Sequence, residues 1–94
     1  AFRDVEDALF AVTSRRARRA ALAEQSSALE AALVLARDRY AEGEASYLEV
    51  LDVERARLAA ALELAGARRD ELDAAVSLFR ALGGGWGGAE PASS

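Results

Sequence analysis

The amino-acid sequence predicts an all-α fold: two long antiparallel helices that form a coiled-coil hairpin, followed by a disordered, glycine-rich C-terminal tail. Hydrophobic side chains recur at alternating spacings of three and four along two stretches of similar length. One turn signal separates the stretches, and alanine, the best helix former, is the commonest residue. The predicted boundaries are 1–42 for the first helix, 43–46 for the turn, 47–82 for the second helix and 83–94 for the tail.

The first helix is predicted from one hydrophobic seam, meaning the line of side chains that faces the partner helix. Its members are Val5, Ala8, Val12, Arg15, Arg19, Leu22, Ser26, Leu29, Leu33, Ala36 and Tyr40. Two arginines interrupt this seam. We expect them to pair with carboxylates of the second helix, namely Asp70, Glu71 or Asp73.

The turn is predicted from a stop signal and a start signal that lie close together. Gly43 can adopt the left-handed conformation that closes a helix C-terminus. Ser46 and Glu49 have the S-x-x-E spacing of a capping box, in which each side chain accepts a hydrogen bond from a backbone N–H at the start of a helix. We expect the rest of the turn to be exposed: Glu42, Glu44, Ala45 and Ser46.

The second helix repeats the pattern of the first. Its predicted seam is Leu48, Leu51, Arg55, Leu58, Leu62, Ala65, Arg69, Leu72, Val76 and Phe79. Alanines on the flanks of both helices would leave low surfaces for further helices: Ala17, Ala20, Ala21, Ala28, Ala31, Ala32, Ala56, Ala59, Ala60, Ala61 and Ala67. The glycine-rich run 83–88 should end the helix after Leu82.

Composition argues against several functions. The chain has no cysteine or histidine and no phosphate-binding loop, so we expect no catalysis and no cofactor or metal. The longest apolar run, 31–36, is far shorter than the roughly 20 residues that span a bilayer. Four arginines within 15–19 could bind phosphates. Because the net charge is -4 and no aromatic residue is interleaved, we favour ion pairs and expect no nucleic-acid partner.

Three separated motifs occur in order along residues 1–87. They are Ala1-Phe2-Arg3-Asp4-Val5-Glu6-Asp7-Ala8-Leu9, then Arg37-Asp38-Arg39-Tyr40-x-x-Gly43-x-x-Ser46-Tyr47-Leu48-x-Val50-Leu51-Asp52, and finally Leu78-Phe79-Arg80-Ala81-Leu82-Gly83-Gly84-Gly85-Trp86. Together they resemble the C-terminal part of the TolC-like outer-membrane efflux channel family, in particular its lipoprotein branch paired with resistance-nodulation-division pumps.

The resemblance implies the last helical hairpin of each protomer of a homotrimer, in the periplasmic part of an outer-membrane protein that exports drugs or other small molecules. It places the turn, Glu42, Gly43, Glu44, Ala45 and Ser46, at the channel entrance, where a periplasmic adaptor docks. An inner-membrane pump would be contacted indirectly. The membrane strands, the first helical half and the lipidated cysteine of the family are missing, so this chain alone should not form a pore. Its start without methionine indicates a piece of something longer.

The resemblance also implies three entrance residues: Tyr40, Glu49 and Asp52. Acidic side chains at the last two positions would form carboxylate rings that favour cations. Each also has a structural alternative, because Glu49 fits the capping box and Asp52 suits the positive end of the helix dipole. Tyr40 could bond a neighbouring helix or simply close the seam. Some relatives have an arginine where this chain has Ala45, so that gating ion pair is not expected here.

Two alternatives come from other classes of protein. A secreted hairpin of the W-x-G family would use Trp86-Gly87-Gly88, although that family has the motif in its turn. A free-standing coiled-coil module would associate by itself. For the isolated chain this second alternative predicts helicity that depends on concentration.

Overall fold

Two antiparallel helices joined by a short turn account for residues 2–85, the part of the chain that the computed structural model describes. Helix α1 spans Phe2–Ala41 and helix α2 spans Tyr47–Gly85, with 40 and 39 residues. At about 1.5 Å per residue, each helix is about 60 Å long. The predicted all-α hairpin is confirmed.

The turn between the helices closes α1 with a Schellman motif. The N–H of Gly43 donates to the carbonyl of Tyr40 at 3.0 Å, and the N–H of Glu44 donates to the carbonyl of Arg39 at 2.7 Å. Gly43 has φ of 78°, the left-handed conformation that the motif requires. The predicted role of Gly43 is therefore confirmed.

The helix ends differ slightly from the predicted boundaries. Helix α1 ends at Ala41 instead of residue 42, and α2 continues to Gly85 instead of ending at Leu82. A glycine costs a helix only about 1 kcal/mol relative to alanine, so the first glycines of the run can still bond one turn back. The remainder of the predicted disordered tail, 86–94, lies outside the described residues.

The predicted seam of α1 is confirmed except at two positions. Leu33 and Ala36 are buried against Val50 of α2. The other half-buried seam members are Val5, Ala8, Val12, Arg19, Leu22, Ser26 and Leu29. Arg15 and Tyr40 are exposed. These two are the only departures within a line of side chains that runs the length of the helix.

The predicted seam of α2 is wrong by two residues. The side chains that face α1 are Val50, Val53, Arg57, Ala60, Leu64, Ala67, Glu71, Ala74, Leu78 and Ala81. Two residues rotate an α-helix by about 200°, so the predicted leucines, apart from the half-buried Leu51, point away from α1. Ala60 and Ala67, predicted to lie on a flank, are buried in the seam instead.

The charges across the interface match the observed face of α2. In the structure Arg19 of α1 meets Glu71, with Nε and Oε1 2.9 Å apart. The predicted seam would have brought Arg69 to the same level, and two guanidinium groups would have repelled each other. Small alanines in the observed seam also let the two backbones approach closely.

Candidate functional site

A line of large apolar side chains on the outer side of α2 is the most prominent surface feature of the hairpin. We call it the leucine stripe. Its members are Leu48, Leu58, Leu62, Leu72, Val76 and Phe79. Their exposed fractions range from 40% to 75%. Exposed Arg55 and Arg69 lie between its members. Exposed apolar surface on this scale usually marks an interaction site in a soluble protein.

The leucine stripe has the periodicity of a coiled-coil seam. Its members belong to the alternating spacings of three and four that the sequence analysis assigned to the contact with α1. Helix α1 has fewer outward apolar side chains, grouped near its two ends: Leu9, Phe10, Val34 and Leu35. The stripe on α2 is thus shaped to receive another helix.

The hairpin tip presents the residues that the sequence predicts for adaptor docking. Glu42, Gly43, Glu44 and Ser46 are exposed, as expected, whereas Ala45 is half-buried. The exposed side chains there are short or acidic, and the backbone is held by the Schellman motif. A partner would therefore meet a rigid, negatively charged turn.

Tyr40 packs against Tyr47 across the turn. Their ring centroids are 5.4 Å apart and the rings are tilted by 52°. Both rings remain about half exposed. Such tilted contacts contribute roughly 0.5–1.5 kcal/mol, so the pair helps to hold the two helix ends together. The sequence analysis assigned no contact to Tyr47, although its position directly after the turn was a usable signal.

Glu49 makes only half of the predicted capping box. Its N–H donates to Ser46 Oγ at 3.3 Å and to the Ser46 carbonyl at 3.1 Å. Its carboxylate, however, pairs with Arg39 of α1. The prediction that Glu49 completes the box is therefore wrong, because a charged partner on the facing helix competes with the backbone N–H.

Arg39 is a tip residue that sequence reasoning missed. It is the basic residue in the last turn of α1, and Glu49 is the acidic residue in the first turn of α2. A favourable interaction with the helix dipole was therefore visible for each of them in the sequence. Their pairing depends on the turn that brings the two helix ends together.

Asp52 lies one turn beyond Glu49 and is held less closely. Its carboxylate is 3.8 Å from Arg55 Nη1 on the same helix, and the side chain is 64% exposed. An exposed pair of this kind contributes little to stability. The two candidate entrance carboxylates therefore have different partners: Glu49 pairs with an arginine of the facing helix, and Asp52 with an arginine of its own helix.

A second charged cluster lies midway along the hairpin. Glu71 pairs with Arg19 at 2.9 Å and more weakly with Arg16 at 3.7 Å. The hydrogen bond from Arg19 lowers the pKa of the Glu71 carboxyl, although its partial desolvation acts in the opposite direction. The predicted pairing of Arg19 is confirmed. Arg15 forms no ion pair within residues 2–85, although it borders the same shallow recess as Asp70 and Asp73.

Two further ion pairs join the helices between this cluster and the tip. Arg37 Nη2 lies 2.7 Å from Glu54 Oε2, and Arg57 Nη1 lies 3.5 Å from Glu30 Oε2. Together with Arg19 and Glu71 they hold the helices in one register, because each pair joins α1 to α2.

Over residues 2–85, neither helix has an apolar stretch long enough to cross a bilayer.

Sequence comparison adds the family. Residues 1–84 match the family described as outer membrane efflux protein. The chain is 37% identical over 86 residues to the solvent efflux pump outer membrane protein SrpC of Pseudomonas putida. It is 38% identical over 86 residues to the outer membrane protein OprJ of Pseudomonas aeruginosa, and 38% identical over 86 residues to the cation efflux system protein CusC of Escherichia coli.

Coverage is very unequal in these comparisons. Each alignment includes 92% of this chain but only 18% or 19% of the relative. The chain thus spans less than a fifth of the length of the curated relatives it matches. No solved structure matches the chain significantly. The family match covers nearly all of the described hairpin, and the resemblance seen in the sequence motifs is confirmed: the chain belongs to the outer membrane efflux protein family.

Proposed function

We propose that this hairpin forms part of the periplasmic helical duct of a trimeric outer-membrane efflux channel. The observation that carries the proposal is the leucine stripe. A helix that turns six large apolar side chains away from its own hairpin has a surface suited to packing against further helices. Family membership supplies the context, because the matching family is that of outer membrane efflux proteins and SrpC is named as the outer membrane protein of a solvent efflux pump.

The free energy available from the leucine stripe supports assembly. Fully burying one leucine or phenylalanine side chain is worth about 1.5–3 kcal/mol. Leu62 is 67% exposed and Phe79 is 75% exposed in the isolated hairpin, so most of that stabilisation is still available. Neighbouring hairpins of the same channel are the partners that the proposal assigns to this surface.

The tip has two roles in this proposal. Its exposed turn, residues 42–46, docks a periplasmic adaptor and thereby connects the channel to an inner-membrane pump. Tyr40, Glu49 and Asp52 lie at the entrance, where those carboxylates of the three protomers that no arginine neutralises would raise the local concentration of cations. The short, acidic and rigid turn supports this assignment.

The test is to place a charge in the leucine stripe of the complete channel. Leu62→Glu should disrupt the trimer, because a carboxylate would be buried between helices without a partner. Leu62→Met keeps the apolar volume and should leave the trimer intact. Native mass spectrometry of the purified channel and export of a fluorescent dye by cells measure both effects. Equal behaviour of the two variants would contradict the proposal.

A free-standing coiled-coil module is the second candidate, and the same stripe favours it. In that case the 94-residue chain would form a defined oligomer by itself, and its helicity would increase with concentration. Sedimentation equilibrium of this chain distinguishes the two functions. The W-x-G alternative depends on Trp86, which lies outside the described residues.

A further inference from the structure

We infer that Arg39 is a specificity-determining residue, which neutralises Glu49 within its own hairpin and leaves Asp52 as the carboxylate available to permeating cations. The inference rests on the proposed entrance function and concerns which of its two acidic side chains attracts cations. It follows from the different partners of two carboxylates that are only one helical turn apart.

The guanidinium of Arg39 is held at two points. Nη1 donates to Glu49 Oε2, and Nη2 donates to the backbone carbonyl of Glu44 at 3.1 Å. The carbonyl of Arg39 in turn accepts the N–H of Glu44 at 2.7 Å. Arg39 is therefore joined to the turn through both its side chain and its backbone.

This anchoring favours the pair with Glu49, although its side chains are 40% and 44% exposed. An exposed ion pair between two free side chains gains little, because both lose rotamer freedom when they meet. Here the bond to Glu44 already orients the guanidinium, and the bonds from the Glu49 N–H to Ser46 set the first turn of α2. Much of the ordering cost is thus met by the turn itself.

The arginine beside Asp52 is not anchored in the way that Arg39 is. Its contact with Arg55 is 3.8 Å long, and the arginine side chain is 77% exposed, so solvent screens the pair. A cation at the entrance can therefore compete with Arg55 for Asp52. It would have to displace an anchored guanidinium to reach Glu49.

Deleting each charged pair in the complete channel tests this inference without changing net charge. Arg39→Gln with Glu49→Gln should leave the potassium-to-chloride permeability ratio unchanged. Arg55→Gln with Asp52→Asn should lower that ratio. Reversal potentials in a planar bilayer with a potassium chloride gradient measure it, and native mass spectrometry confirms that each variant is still a trimer.

Releasing Glu49 is the complementary experiment. Arg39→Gln alone frees a carboxylate at the entrance and should raise the permeability ratio roughly two- to threefold. Arg37→Gln is the matched control, since it also removes one positive charge and frees Glu54, which lies farther along the shaft. Arg37→Gln should have a smaller effect.

Two results would overturn the inference. The first is an equal loss of cation preference in the two pair deletions. The second is an equal gain for Arg39→Gln and Arg37→Gln, which would indicate an effect of net charge alone. Failure of the proposed entrance function looks different: Asp52→Asn alone would then leave the ratio unchanged, and this inference would fall with it.

Discussion

The two helices of the hairpin use their apolar side chains in opposite ways. Helix α1 directs its large side chains, such as Leu29 and Leu33, into the contact with α2. Helix α2 buries Ala60, Ala67 and Ala74 in that contact at seven-residue intervals, and turns the large side chains of the leucine stripe outward. One seam therefore holds the hairpin together, and a second seam of the same period remains free for other helices.

The largest expected effect comes from removing a large side chain of the inner seam. Leu33 is 4% exposed, so Leu33→Ala should lower the free energy of unfolding by about 2–5 kcal/mol through lost burial and a residual cavity. Leu62→Ala on the leucine stripe should change it by less than about 1 kcal/mol. Urea denaturation of the 94-residue chain, followed by circular dichroism, measures both; similar losses would refute the assignment of the two seams.

Enlarging a small side chain of the inner seam should have the next largest effect. Ala67 is 1% exposed, and Ala67→Leu would force the helices apart at a cost of about 1–3 kcal/mol. The same change at the exposed Ala59 is the control and should be nearly neutral. If Ala67→Leu stabilised the hairpin in thermal denaturation, the close approach of the helices would be wrong.

Adding a methyl group should change the stability of the hairpin in opposite directions at the turn and inside α2. Gly43→Ala should destabilise the hairpin by about 1–2 kcal/mol, because φ is 78° at this position. Gly66→Ala lies inside α2, where a Cβ meets nothing within 4 Å, and should stabilise it by about 0.5–1 kcal/mol. Thermal unfolding measures the change in stability of each variant. A change in the same direction for both would contradict this explanation.

The smallest expected effect concerns pH. Because the pKa of Glu71 is lower in the folded chain than in the unfolded chain, its stabilising contribution is present above the unfolded pKa of about 4.5 and is lost as pH falls through the folded value. Glu71→Gln should therefore lower stability at pH 7 and weaken the decline between neutral and acidic pH. Asp70→Gln, at an exposed neighbour, is the control for charge alone. Identical pH profiles for wild type and Glu71→Gln would disprove the linkage.

Much of the candidate site follows from local sequence. Gly43 and Ser46 indicate the turn in the sequence. In the structure Gly43 has the expected positive φ, and Ser46 accepts the expected hydrogen bond from the Glu49 N–H. The partner of Glu49 could not be predicted, because S-x-x-E describes contacts within one helix, whereas Arg39 arrives from the other. Ala45 is half-buried, which its place in a predicted exposed turn did not indicate.

The sequence by itself determined the two helices, the turn and the seam of α1, because alanine content, periodicity and glycine act through neighbours a few residues away. Only the tertiary structure decided which of two heptad stripes of α2 faces α1. Both stripes have the same period, so periodicity cannot choose between them. The choice depends on the side chains across the interface, where Glu71 attracts Arg19 and where alanines let the helices approach each other.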